Sequence, residues 1–318
     1  MISVLAGGVG AARFLRGLCL AVDPARVVAV VNTGDDTELH GLSISPDIDT
    51  VIYTLANAID PERGWGLRDE TWRAMASLER FTDIRPAGSR AAPTWFNLGD
   101  QDLATHFYRT ARLQEGASLT EVTDEIRRSF ELLVNVIPMT DDRVRTLVTI
   151  AECDSPVSGE TISFQEYFVR HRHSLPVASV TFDGALTATL NPRARLHDSE
   201  RIIIAPSNPI VSIGPLRALA GVDDLLRARR NAVVAISPIV AGAALKGPAD
   251  RMLRELGMEP TVVGVARLYS EVCGTLIIDT RDAHLASAVE AEGLRCLVTD
   301  TIMSDPNVAR DLAALTLT

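Results

Sequence analysis

The sequence predicts an α/β fold built on a doubly wound, mostly parallel sheet. Three observations carry this. Short apolar runs recur along the chain, and several are apolar without alternation, as strands covered on both faces are. Helical patterns lie between many of them, and strands that alternate with helices form parallel, doubly wound sheets. The first run, Met1–Ala6, passes at once into Gly7-Gly8-Val9-Gly10 and then into a helix start at Arg13-Phe14-Leu15. Strand, glycine turn and helix in that order make the arrangement Rossmann-like.

The elements follow in order. After the opening strand, Val27–Val31 is a β-branched run and reads as the second strand. Further strands are expected at 132–137, 145–150, 202–205, 232–236, 261–265, 275–279 and 295–298. Residues 60–130 look mostly helical. Residues 145–190 alternate polar and apolar positions, broken at Gly159 and Pro176, and suit a small β subdomain. With no internal repeat and no low-complexity tract, the chain reads as one domain over 1–318. A mainly helical and β insertion is expected around 60–190.

Composition narrows the function. The 318 residues, 47% hydrophobic and 23% charged, suit a soluble globular protein with a large core. No apolar run is long enough to cross a membrane. No signal-peptide pattern precedes the first strand, so a cytoplasmic location is expected. Cys19, Cys153, Cys273 and Cys296 are scattered and match neither a metal site nor a disulfide framework. A net charge of −10 argues against a nucleic-acid surface.

Gly7, Gly8, Val9 and Gly10 are placed to cradle a phosphate. Their N–H groups can approach an anion, and the helix that follows adds a partial positive charge. Arg13 stands where the dinucleotide fingerprint has its third glycine, and no Walker lysine follows. A plain strand-to-helix turn is the alternative. The second strand runs into Asn32-Thr33-Gly34-Asp35-Asp36, and Pro46-Asp47-Ile48-Asp49 follows soon after. Carboxylates gathered at a sheet edge beside a phosphate loop can hold Mg²⁺, and one can accept a proton from a hydroxyl. Singly, Asp47 and Asp49 read as first-turn helix acids, and Asp35 and Asp36 as a Gly-Asp turn.

Three further segments contribute. Asn97 and the aromatics Trp95 and Phe96 precede a helix that Asp100 is expected to cap, and they can line a pocket for a planar ligand. Ser207, Asn208 and Ser212 lie in a proline-rich loop after the strand at 201–205. Ser237 to Gly242 repeat that pattern after the strand at 232–236, and Lys246 follows, placed to meet a phosphate. His171 and His173 are flanked by Arg170 and Arg172, which would repel a cation, so a solvated face is expected there.

Taken together these segments resemble a known family. Gly7–Gly10, Asn32–Asp36, Ser45–Thr50, Leu98–His106, Ile137–Asp142, Pro206–Pro215 and Ser237–Val240 look like the 2-phospho-L-lactate transferases of coenzyme F-420 biosynthesis, in order from residue 1 to about 310. Ile59–Gly66 and Phe164–Glu166 look like the actinobacterial, phosphoenolpyruvate-using branch. Gln101 stands where Arg is common, Asn97 where Lys can occur, and 84–94 looks like an insertion.

The resemblance implies a Mg²⁺-dependent transferase. A phosphorylated three-carbon acid would pass from a GMP-activated diphosphate to the ribityl hydroxyl of the deazaflavin Fo, and GMP would leave. It further implies a homodimer, Asp35 and Asp49 on the metal and in catalysis, and Asp49 with Asn97 on Fo. The guanosine part would lie on Ser207, Asn208, Ser212 and the 237–242 loop. Two other readings stay open. One is a non-catalytic, nucleotide-sugar-binding regulator from a family with the same glycine loop. The other is a nicotinamide-dependent dehydrogenase, against which the missing third glycine speaks.

Overall fold

The computed structural model describes residues 1–87, 89 and 91–318, so part of the 84–94 segment lies outside the described residues. Seven parallel strands form the central sheet: β1 (Ile2–Ala6), β2 (Val27–Val31), β3 (Asn135–Pro138), β4 (Arg201–Ile204), β5 (Val233–Ile236), β6 (Thr275–Asp279) and β7 (Arg295–Thr299). Their spatial order is β7-β6-β5-β4-β1-β2-β3. β1 is an inner strand, pairing Ile2 with Val27 on one side and with Arg201 on the other. The expected doubly wound α/β sheet is what the chain forms.

The unbroken apolar strands are explained by burial on both faces. Leu5, Val28, Val30, Ile202, Ile204 and Ala235 point into one core, beneath helices Val222–Ala228 and Val262–Tyr269. Their neighbours Val4, Ala29, Val31, Ile203 and Ile236 point into the other. That second core lies under four helices: α1 (Gly8–Ala21), α2 (Pro46–Leu55), α4 (Leu119–Ser129) and α5 (Pro306–Leu315). Side chains alternate sides along a strand, so an apolar run without polar gaps serves two cores. Helix α1 lies so close to α5 that a Cβ on Gly17 would stand 2.4 Å from the carbonyl of Ala309. No helix among the described residues is long and apolar enough to cross a membrane.

The expected strand at 261–265 is instead the start of a helix. The Thr261 side chain accepts from the Gly264 N–H and caps it, and Val262, Val265 and Ala266 bury against the core. Tertiary burial and a cap outweigh the β-branched character of the run. Residues 132–137 yield only the short β3, since Leu133 is exposed before it. Arg145–Ile150 is a strand, but it pairs antiparallel with Thr161–Ser163 and Val177–Asp183 in a separate small sheet. Its alternate residues are buried, the pattern of a strand covered on one face. The span read as mostly helical holds Arg73–Glu79, α3 (Asp102–Gln114) and α4, joined by turns.

Candidate active site

The carboxyl ends of β1, β2, β4, β5 and β7 open into one cavity of about 750 Å³. This is where ligands bind in open α/β sheets. Its wall includes Gly7, Gly8, Val9, Gly10, Arg13, Asp35, Asp49, Asn97, Ser207, Asn208, Ser212, Ser237 and Lys246. Gly242 is not among the lining residues. It turns the tip of the hairpin Ile239–Val240/Ala243–Ala244, with φ +78°, a region that favours glycine.

The glycines do two jobs. A Cβ on Gly10 would lie 2.2 Å from the Pro206 carbonyl oxygen, and one on Gly7 would lie 2.8 Å from Ser212 Cβ. Both therefore permit close packing of the first loop on the loop after β4, which Ser207 Oγ secures by donating to the Gly7 carbonyl at 2.7 Å. Gly8, at φ +69°, has open space around it, with only Asp47 nearby. Gly8 to Gly10 open α1, whose cap at Gly7 uses no side chain. The N-terminal end of that helix thus faces the cavity.

The polar residues of the proline-rich loops also hold their own turns. Asn208 Oδ1 accepts from the Ile210 N–H at 2.9 Å, and Ser237 Oγ accepts from the Ile239 N–H at 3.1 Å. Turn chemistry and cavity lining coexist in the same side chains.

The carboxylates divide into two groups. Asp35 and Asp47 are buried at the cavity wall, and no cationic side chain pairs with either among the described residues. Burial pushes the Asp35 carboxyl well above its ordinary range, and the neighbouring Asp47 pushes it further. Burial pushes Asp47 up to about 6, opposed by bonds from Asn32 and the Gly8 backbone. Asn32 Nδ2 donates to Asp47 Oδ2 at 2.9 Å, and Asp35 Oδ1 has no partner. Asp36 lies behind them, pushed up to about 7 by burial, with Ser45 Oγ donating to it at 2.7 Å. Two buried, adjacent and unneutralised carboxylates, one with an unpartnered oxygen, fit a divalent cation completed by water and substrate oxygens. No group of three or more His, Cys, Asp or Glu able to hold a metal ion occurs among the described residues.

Asp49 belongs to the second group, so the expected Asp35–Asp49 pair is not the one left without a counter-ion. Arg109 grips Asp49 through both guanidinium nitrogens, with Nη1 donating to Oδ2 at 3.0 Å, and Arg109 is fully buried. Arg109 Nη1 also lies 3.2 Å from His106 Nδ1. A guanidinium only donates, so Nδ1 is the accepting nitrogen and the ring proton sits on Nε2, which lies 3.3 Å from Asp102 Oδ2. Tyr53 donates to Asp102 Oδ1 at 2.6 Å. Burial pushes the Asp102 carboxyl up, but these bonds from His106 and Tyr53 hold it below its ordinary range. Asp49, Tyr53, Asp102 and His106 all line the cavity.

Tyr53, Asp102, His106 and Arg109 are absent from the expected site. The signal lay in their spacing: residues 102, 106 and 109 share one face of α3. The Gly99–Asp102 segment also differs from expectation. Asp100 caps Arg73–Glu79 rather than α3, accepting from the Ala74 N–H at 3.1 Å. Glu70 returns the exchange, accepting from the N–H groups of Gln101 and Asp102 at 2.8 Å each. A Cβ on Gly99 would stand 2.1 Å from Glu70 Cδ, so the glycine permits this exchange.

Aromatic side chains also line the cavity. Trp95 and Phe96 meet edge to face at 5.9 Å between centroids, and Phe164 stacks on Phe168 at 5.4 Å. The Arg63 guanidinium lies over Trp65 and Trp72 at 5.5 and 5.1 Å. His173 stacks on Phe168 at 5.3 Å, and both His171 and His173 are half-buried.

The family model described as 2-phospho-L-lactate transferase CofD matches residues 2–310. The chain belongs to this family. The chain is also similar to proteins named phosphoenolpyruvate transferase. That of Mycobacterium tuberculosis strain H37Rv is 40% identical over 98% of this chain and 96% of its own length. That of Kitasatospora aureofaciens is 39% identical over 99% and 96%. That of Mycolicibacterium smegmatis is 38% identical over 96% and 94%. A solved structure of a UPF0052-family protein from Bacillus halodurans has a TM-score of 0.59 at 14% identity and covers 100% of this chain and 98% of its own. That likeness is one of fold. The family membership supports a transferase of phosphoenolpyruvyl or 2-phospholactyl groups in coenzyme F-420 biosynthesis.

Proposed function

We propose that the chain transfers a phosphoenolpyruvyl group, or a 2-phospholactyl group, from a GMP-activated diphosphate to the ribityl hydroxyl of Fo. The products would be GMP and dehydro-coenzyme F-420-0, or coenzyme F-420-0 from the lactyl donor. The observation that carries this is one cavity lined by a helix N-terminal end, an unneutralised carboxylate pair and aromatic rings. An anionic donor and a planar acceptor need such groups side by side.

The N–H groups of Val9 and Gly10 would hold the donor diphosphate, with the Gly8 N–H on Asp47. Ser207, Asn208, Ser212 and Ser237 would take its guanosine part, and Asn97 with Trp95 and Phe96 the deazaflavin. Asp35 and Asp47 would hold Mg²⁺, which would spread the charge that develops on the transferred phosphoryl group. Asp49, fixed by Arg109, would accept the hydrogen bond of the ribityl hydroxyl and aim its lone pair at phosphorus. The new O–P bond forms as the bond to GMP breaks, and the hydroxyl proton passes to Asp49. Phosphoryl transfer rewards such positioning more than strong basicity.

Mass spectrometry of products after incubation with Fo, Mg²⁺ and each donor tests the reading. An Fo adduct with stoichiometric GMP is expected. Tight GDP binding without an adduct from either donor would favour a nucleotide-binding regulator instead.

A further inference from the structure

The chain contains thirty arginines and one lysine, Lys246. That lysine lies on the cavity wall, on the segment between the hairpin at 239–244 and helix Ala249–Glu255. No hydrogen bond or ion pair to its ammonium occurs among the described residues. Its position is defined by the opposite wall. A Cβ built on Gly64 would meet Lys246 Nζ at 3.3 Å and Val9 Cγ1 at 4.0 Å. Gly64, at φ +75°, therefore leaves the side of the ammonium that faces Val9 uncovered by a side chain.

Electrostatics gives that uncovered side a purpose. Asp35 and Asp47 stand at the same loop without a counter-ion among the described residues. Arg63 does not answer them, because Asp60 pairs with it at 2.9 Å and two tryptophans flank it. Lys246 and Arg13 are the cavity-lining cations without a hydrogen bond or ion pair among the described residues, and Lys246 is the one that faces the Gly64 turn. An ammonium on a flexible stem is a compact charge suited to a non-bridging phosphate oxygen or a carboxylate.

Resting on the proposed transferase reading, we propose that Lys246 is the donor clamp. It pairs with an anion of the donor beyond the nucleoside monophosphate, either the β-phosphate or the carboxylate of the three-carbon acid. Gly64 keeps the space for that anion open. Lys246 thus reads the part of the donor that is transferred, and the loops after β4 and β5 read the part that leaves.

The single lysine makes the test direct. Reductive methylation with ¹³C-formaldehyde keeps the charge and labels only Lys246 and the chain's amino terminus. The Lys246 resonance is then followed by NMR during titration with GMP, GDP, phosphoenolpyruvate and Fo, with calorimetry reporting binding in parallel. A shift with GDP but not GMP assigns the β-phosphate, a shift with phosphoenolpyruvate but not with GDP assigns the carboxylate, and either supports the clamp. Equal shifts with GMP and GDP, a shift with Fo alone, or no shift while calorimetry shows GDP bound would overturn it and leave the transferase reading standing. No GDP binding at all would overturn both. In turnover, Lys246→Gln is expected to raise the donor KM about tenfold or more with the Fo KM unchanged, and Lys246→Arg to recover part of the loss. Equal changes in both KM values would also refute the clamp.

Discussion

Replacing Arg109 by Met tests the ion pair that anchors Asp49. Arg109 is fully buried, and the Asp49 side chain is 7% exposed. The substitution removes a charged double hydrogen bond and leaves a carboxylate facing an apolar stem. Removing one partner of a buried pair costs about 3–5 kcal/mol, mostly because the other charge is stranded. Unfolding entropy scales with length, so a chain of this size loses roughly 1.5 °C of melting temperature per kcal/mol, or about 5–8 °C here. Asp49→Asn strands the guanidinium instead and should also destabilise. It is therefore not a clean catalytic knockout, although a first-turn carboxylate suggests one.

The double variant removes both charges and should melt higher than the sum of the two losses predicts, with a coupling of about 1–3 kcal/mol. Arg109→Lys keeps the charge but not the fork and guards against a variant that does not fold. Thermal unfolding by circular dichroism is the assay, with Fo-dependent transfer at 25 °C beside it. Strictly additive losses, or an Arg109→Met melt within about 1 °C of the parent, would refute the reasoning. So would an unchanged Fo KM in Arg109→Lys, since Asp49 would then be positioned by something else.

Gly8→Val should raise the donor KM well above any change in the Fo KM, because the side chain would fill the space before the helix end and strain a left-handed backbone. Equal losses for both substrates would remove the glycine loop as the donor site. Gly99→Ala should lower stability by about 1–3 kcal/mol by forcing Glu70 off the start of α3, read by denaturant unfolding. An unchanged midpoint would show that Glu70 is dispensable there. The enolpyruvyl donor should be preferred over the lactyl donor in a graded way, since near-isosteric groups are separated by only about 1–3 kcal/mol. Competition between equimolar donors, read by product mass, tests this, and a majority of saturated product would refute it.

Much of the fold was legible because it rests on local signals. The apolar runs of β1 and β2 require two covered faces, and the glycine turn marks the passage from β1 into α1. The run at 261–265 misled because its burial in a helix depends on residues far away in the chain. Loops after the strands were placed correctly at the cavity for the same reason as the strands: in a parallel sheet their carboxyl ends share one edge.

The sequence by itself determined which segments meet at the sheet edge, because hydrophobic period and strand direction decide that. It left open which carboxylate does what. Asp35, Asp47 and Asp49 are alike as residues, and each sits in a plausible turn or helix start. Only the tertiary structure separated them, by delivering Arg109 from α3 to Asp49 across 60 residues of chain and bringing no cation to the other two. The physical reason is that a buried carboxylate's chemistry is set by its counter-ion, and the distance to that counter-ion exists only once the chain has folded.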